Sequence, residues 1–165
     1  MTIHHLIGRW EKRPAARCLN GQSISTADAP RIATILACER LDISGPIDFL
    51  IDSGADRTII MPDDCEALGV RISDLQEGCP NISKGVGGWC VPIKYLDGVT
   101  LEFLTPDNGL TETLILERIA VLSPSRKERR NGHFNGLPSL LGRSFLGLCH
   151  VDLTKEGVFL HYEGE

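Results

Sequence analysis

The chain has 165 residues, 42% hydrophobic and 24% charged, the composition of one globular domain rather than of a disordered or fibrous chain. A formal net charge of −5 provides no broad basic face to neutralise a phosphate backbone, which excludes a general nucleic-acid binder. No apolar stretch is long enough for a secretory signal or a bilayer span, and the six cysteines form no C-x-x-C pair, so a cytoplasmic protein with mostly buried, unbridged thiols and no membrane association is expected.

Residues 1–30 carry weak periodicity and end in a polar stretch closing on Pro30, which reads as an N-terminal arm or linker leading into a domain over 31–165. Ile32–Cys38 and Ile47–Ile51 are short β-rich runs separated by the turn signal Ser44, Gly45, Pro46, which predicts a hairpin running straight into Asp52-Ser53-Gly54. Pro62, the acids Asp63 and Asp64, and Gly69 punctuate one short helix. The glycines between Lys84 and Trp89 read as a hairpin tip, and Val99–Leu104 and Leu114–Leu122 as further strands. The polar, basic stretch 123–136 predicts an exposed loop. Leu140–Leu146 allows one helical turn, and Cys149–Leu153 with Val158–Tyr162 a closing hairpin. The whole is mainly β, with one or two short helices.

An aspartate at the end of a buried apolar strand, followed by a small hydroxylic residue and glycine, presents a carboxylate on a tight turn at the mouth of a sheet. Amide hydrolysis can use such groups in pairs, because two neighbouring carboxylates do not both ionise: one keeps a proton as the acid while the other serves as the base. Here the motif runs from Leu50 to Ile60, apolar on both sides; Leu140-Leu141-Gly142-Arg143 follows later, and a glycine-rich hairpin lies between them.

These three pieces, in this order, resemble the retropepsin family: retroviral proteases and the cellular protease domain of the DNA-damage-inducible ubiquitin-shuttle proteins. The resemblance covers roughly Arg31 to Tyr162. It implies a closed β-barrel-type acid-protease fold, an aspartic endopeptidase activity without cofactor or metal, and a protein or peptide substrate. Asp52 would be the catalytic carboxylate, Ser53 the hydroxyl that bonds the partner's backbone across a dimer axis, and Gly54 the residue that lets the backbone turn. Ala55 and Asp56 would line the substrate groove, and Gly85, Val86 and Gly87 would form the tip of a flap closing over the peptide. Leu137, Pro138 and Leu140 would shape the pocket beside the scissile bond. Gly142 would support the catalytic turn, and Arg143 would pair with Asp56 in a buried ion pair that locks it.

The chain holds one D-S-G and no D-T-G, so a dyad requires a symmetric homodimer. Ala55 brings no hydroxyl to the neighbouring carboxylate, and activity is therefore expected to reach mildly acidic or near-neutral pH. The alternative is a dimeric module on the same scaffold that binds a peptide or partner without cutting it.

Three rival motifs point elsewhere. Ser144 sits in a near match to G-x-S-x-G, but the last glycine comes one residue late. Gly85-Val86-Gly87-Gly88 lacks the last glycine of a dinucleotide fingerprint. His4-His5 and Cys149-His150 are adjacent rather than at zinc spacing, and Arg126–Arg130 reads as a solvated basic run or cleavage site.

Overall fold

A computed structural model describes residues 2–12, 16–17, 23–24, 28–78, 82–84, 90–104 and 111–164. In chain order the strands are β1 Thr2–Glu11, β2 Ala16–Arg17, β3 Ser23–Ile24, β4 Ala29–Cys38, β5 Ile43–Ile51, β6 Ile59–Ile60, β7 Ile82–Lys84, β8 Cys90–Leu104, β9 Thr111–Leu122, β10 Leu140–Leu141, β11 Cys149–Leu153 and β12 Val158–Gly164. Three short helices join them: α1 Pro62–Ala67, α2 Arg126–Arg130 and α3 Arg143–Leu146. The mainly β class stands, with three helices where one or two were expected.

Ten strands form one sheet in the order β11-β12-β1-β4-β5-β10-β6-β9-β8-β7, and β4 also pairs with β8. That extra pairing closes the circuit β4-β5-β10-β6-β9-β8 around the core. Strand alternation fills it: Ile32, Leu36 and Cys38 of β4 and Ile47, Phe49 and Ile51 of β5 are buried at every second position. Phe103 stacks on Phe145 of α3 with ring centroids 5.4 Å apart, so the last helix is seated on the same core. A second apolar cluster, including Ile59, Met61, Val91, Leu122 and Phe134, lies apart from it.

Within the segment read as an arm, Thr2–Glu11 is a strand paired with both β12 and β4. Leu6 is fully buried there, and Arg9 donates two hydrogen bonds to the Asp48 carboxylate, at 2.9 and 2.8 Å.

The first hairpin turns earlier than its sequence suggests. The chain reverses at Glu39–Asp42, with Asp42 in the left-handed region at φ 52°, while Gly45 and Pro46 lie inside β5 opposite Leu36 and Ile35. Pro46 is tolerated because, among the described residues, β10 pairs only with Leu50 and Ile51 of β5 and no strand pairs with its other edge at residue 46. Gly45 serves packing: a Cβ there would stand 2.7 Å from Leu68 Cδ2.

α1 follows its punctuation, with Pro62 at the first turn and Gly69 at φ +76° beyond the end. The stretch 123–136 is not wholly loop. Ser125 and Glu128 form a capping box, in which the Ser125 hydroxyl accepts from the Glu128 N–H and the Glu128 carboxylate accepts from the Ser125 N–H, and α2 grows from it.

Candidate active site

Asp52 stands one residue beyond β5, half-buried at the start of a turn. Its Oδ1 accepts from the N–H of Gly54 at 2.9 Å, and its carbonyl accepts from the N–H of Ala55 at 3.1 Å, which closes an Asx-type turn around Ser53. Gly54 is not in the left-handed region; its lack of a side chain gives clearance, since a Cβ would stand 3.1 Å from Asp52 Oδ1. Ser53 is exposed on the turn.

A second segment holds this turn from below. β10 runs parallel to the end of β5, pairing Leu140 with Leu50 and Leu141 with Ile51, and lies antiparallel to β6 through Leu140 and Ile59. The N–H of Asp52 donates to Leu141 O at 3.0 Å, and the N–H groups of Arg143 and Ser144 donate to the carbonyls of Ala55 and Asp56 at 2.8 and 3.1 Å. Gly142 donates its N–H to the buried Thr58 Oγ1, and the Ser144 hydroxyl accepts from the Thr58 N–H at 2.9 Å. Every residue from Asp52 to Thr58 except Ser53, Gly54 and Arg57 thus has a backbone group bonded to residues 141–144.

Arg143 donates to the Asp56 carboxylate, but the pair is not the buried one that the resemblance implies: its side chains are 61% and 73% exposed in the single chain. An ion pair in water is weakly stabilising, so Arg143 and Asp56 add little to the stability of the single chain. Ser144, the rival nucleophile, bonds Thr58 through both lone pair and proton, a structural arrangement.

Above the turn opens a groove of about 760 Å³. Of the residues expected there, Asp52, Gly54, Ala55, Asp56, Leu137 and Leu140 line it, whereas Ser53, Pro138, Gly142 and Arg143 do not. Gly85, Val86 and Gly87 lie outside the described residues, although both strands of their hairpin contribute to the wall, through Ile82, Ser83, Cys90 and Val91. Sequence reasoning missed Ile59, Met61, Leu122, His133 and Phe134, which also line it. The capping-box spacing of Ser125 and Glu128 signals the start of α2, beyond which the turn 131–136 carries His133 and Phe134.

The groove is therefore largely apolar, with the half-buried Asp52 carboxylate and the exposed Asp56 among its lining residues. This arrangement can seat an extended apolar chain beside a group able to take or give a proton. Among the described residues no group of three or more His, Cys, Asp or Glu is arranged to hold a metal ion. His5 and His150 instead flank His161, which meets His5 at 2.6 Å and Asp152 at 3.1 Å. No helix among the described residues is long and apolar enough to cross a membrane.

No protein-family model and no curated protein matches the chain. Among solved structures it is similar to a retropepsin-like aspartic protease from Rickettsia conorii, with a TM-score of 0.53 and 16% identity over 98% of this chain and 92% of that one. The chain has a retropepsin-like fold. EIAV protease, solved with the inhibitor HBY-793, also matches, with a TM-score of 0.45 and 21% identity over 72% of this chain and 86% of that one. Asp52 follows the end of β5, and Leu140–Leu141 form β10 beside it, with Gly142 next in the chain.

Four described cysteines, Cys38, Cys65, Cys90 and Cys149, are not disulfide-bonded; Cys18 and Cys79 lie outside the described residues. Burial pushes the Cys65 thiol up to about 12, helped by the nearby Asp64 and Glu66 carboxylates, and the Cys149 thiol up to about 11.

Proposed function

We propose that this chain is an aspartic endopeptidase that works as a homodimer, with the Asp52 carboxylates of two protomers on either side of one water molecule. The observation that carries the reading is the setting of Asp52, half-buried at the edge of an apolar groove and on a turn pinned by Leu141, Arg143 and Ser144, within a retropepsin-like fold. One carboxylate cannot supply both acid and base, and the chain contains a single such motif, so the second must come from a second copy.

In this reading the ionised Asp52 of one protomer removes a proton from water as the water oxygen adds to the scissile carbonyl carbon. The partner's Asp52, protonated, gives its proton to the carbonyl oxygen, forming a neutral diol. The diol collapses as the C–N bond breaks. The leaving nitrogen takes the proton that the first carboxylate acquired, one diol hydroxyl returns its proton to the second, and the dyad again holds one proton. Its titration belongs to the pair.

Ser53, exposed on the turn, is assigned to backbone contact across the dimer axis, and Ala55, Asp56, Leu137, Pro138 and Leu140 to the substrate. Gly85, Val86 and Gly87 are assigned to a flap that excludes water. The substrate is an extended, largely apolar peptide pairing as an added strand. Unbridged thiols fit a cytoplasmic site of action.

An unbiased peptide library digested by wild type and by Asp52→Asn in parallel tests the proposal. Cleavage by wild type that falls by about a thousandfold or more in the variant supports it. Peptides bound by both proteins and cut by neither would make the groove a recognition module instead.

A further inference from the structure

The stretch 123–136 was expected to be an exposed loop, yet it is tied down at four separate points. The capping box fixes the start of α2. Arg129 pairs with Glu66 of α1 at 2.6 Å, and the N–H of Gly136 donates to Asp63 Oδ2 at 2.9 Å. Phe134 is buried in the cluster that contains Ile59, Met61 and Leu122. Just past the segment, the Ser139 hydroxyl donates to Asp64 Oδ2 at 2.5 Å while accepting from the Met61 N–H at 2.9 Å.

Three acids of α1 therefore grip three successive places in 129–139. Between those grips, Gly132 and Gly136 take left-handed conformations, at φ +71° and +67°, that bend the chain back on itself and drive Phe134 into the groove wall. Loop anchoring of this density is more than solubility requires. A charged surface segment needs no buried aromatic and no carboxylate caps on its backbone.

We infer that Phe134 is the residue that limits the size of the groove's apolar subsite, and that α1 is the clamp that positions it, so that the site selects peptides with an aliphatic rather than an aromatic side chain there. The inference rests on the peptide groove proposed above. Phe134 shares its cluster with Ile59, Met61 and Leu122, which line the groove with it, so its ring occupies space that a substrate side chain would otherwise reach. Hydrophobic pockets discriminate by size to the extent of about 10–200-fold per methylene-scale change, which is the range available to this wall. Glu66, which pairs with Arg129, and Asp63, which accepts from the Gly136 N–H, are with Arg129 positioning residues, since none of the three lines the groove.

The test measures peptide binding to Asp52→Asn protein, which cannot cut by the proposed route, with Phe134 intact, Phe134→Leu and Phe134→Ala, using one peptide series that varies a single apolar residue from Val through Leu and Met to Phe and Trp. The expected result is that Phe134→Leu, the milder change, already moves the ratio of aromatic to aliphatic affinity by about tenfold, and Phe134→Ala moves it further. Arg129→Met weakens binding of the whole series with its size preference blurred, and Arg129→Lys restores most of it. An unchanged size preference in both folded Phe134 variants overturns the inference, as does failure of the intact-wall protein to bind any of the peptides. Wild type assayed alongside for cleavage separates the two ideas: a size preference that shifts on mutation, with no cleavage by wild type, upholds the wall and defeats the peptidase.

Discussion

Gly142 lies so close beneath Arg57 that a Cβ built on it would stand 2.2 Å from the Arg57 carbonyl oxygen and 2.9 Å from that of Ala55. Both obstacles are backbone of the turn that carries Asp52, so they cannot swing aside as a side chain could. Gly142→Ala should therefore displace the turn itself, costing about 1–3 kcal/mol in overpacking and abolishing measurable cleavage. Urea unfolding and a peptide assay on the same preparation check this; a variant with normal activity would show that the turn's position is not critical.

Thr58 is the hidden partner of that glycine. Its Oγ1 accepts from Gly142 N–H at 3.2 Å in a buried setting. Thr58→Val keeps the shape and strands the N–H, and about 1–3 kcal/mol of stability should be lost. Thr58→Ser, which keeps the hydroxyl, should lose less, and denaturant midpoints of the two variants compare them directly.

Arg143 and Asp56 make the opposite case. Because both side chains are largely exposed in the single chain, Arg143→Ala should change unfolding free energy by less than about 1 kcal/mol. Its effect should appear in turnover, as a fall of about tenfold or more in kcat/KM, because the pair orients the turn beside the substrate. Arg143→Lys should recover only part of this, since an ammonium lacks the planar guanidinium's fork of donors.

Ser144→Ala separates the peptidase from the serine hydrolase suggested by the near-elbow motif. It removes the acceptor of the Thr58 N–H and should cost about 1 kcal/mol, while cleavage persists and serine-directed covalent reagents leave the wild type active. Loss of all activity together with covalent labelling at Ser144 would reverse the assignment.

The buried thiols give stability an alkaline limit. Cys65, held up to about 12 against an ordinary value of 9.0, stays protonated in the folded chain while the unfolded chain releases its proton. The unfolded state then binds fewer protons than the folded state, so stability is full below pH 9 and declines as pH rises from there toward 12. Cys149, raised to about 11, adds to the decline over the lower part of that window. Cys65→Val should flatten the fall in urea midpoint between these pH values; an identical slope in the variant would assign the decline to other groups.

Much of the fold was legible because strand burial alternates cleanly along Ile32–Cys38 and Ile47–Ile51, and because Pro62 and Gly69 bracket a helix with ordinary punctuation. That the Asp52 turn and the Leu140–Gly142 segment lie together was implied by the family resemblance, and the Asp52 N–H bonded to Leu141 O joins them. What sequence reading lost were features decided by partners distant in the chain. Gly45 and Pro46 looked like a turn, but packing against Leu68 and an unpaired strand edge make them part of β5. Thr2–Glu11 looked like an arm because its burial depends on β12 and β4 on either side. The basic, polar composition of 123–136 hid Phe134, whose role depends on carboxylates of α1 that hold the segment from outside it.

The central claim is that two copies of Asp52 act on one bond, and subunit mixing measures it directly. Wild-type and Asp52→Asn protein are combined in varying ratio, allowed to exchange, and assayed on one peptide at constant total concentration. If each site needs both carboxylates, activity follows the square of the wild-type fraction and falls to about a quarter at equal mixing. A straight-line fall, to about one half at that point, would mean that a single copy of Asp52 suffices and would contradict the shared dyad.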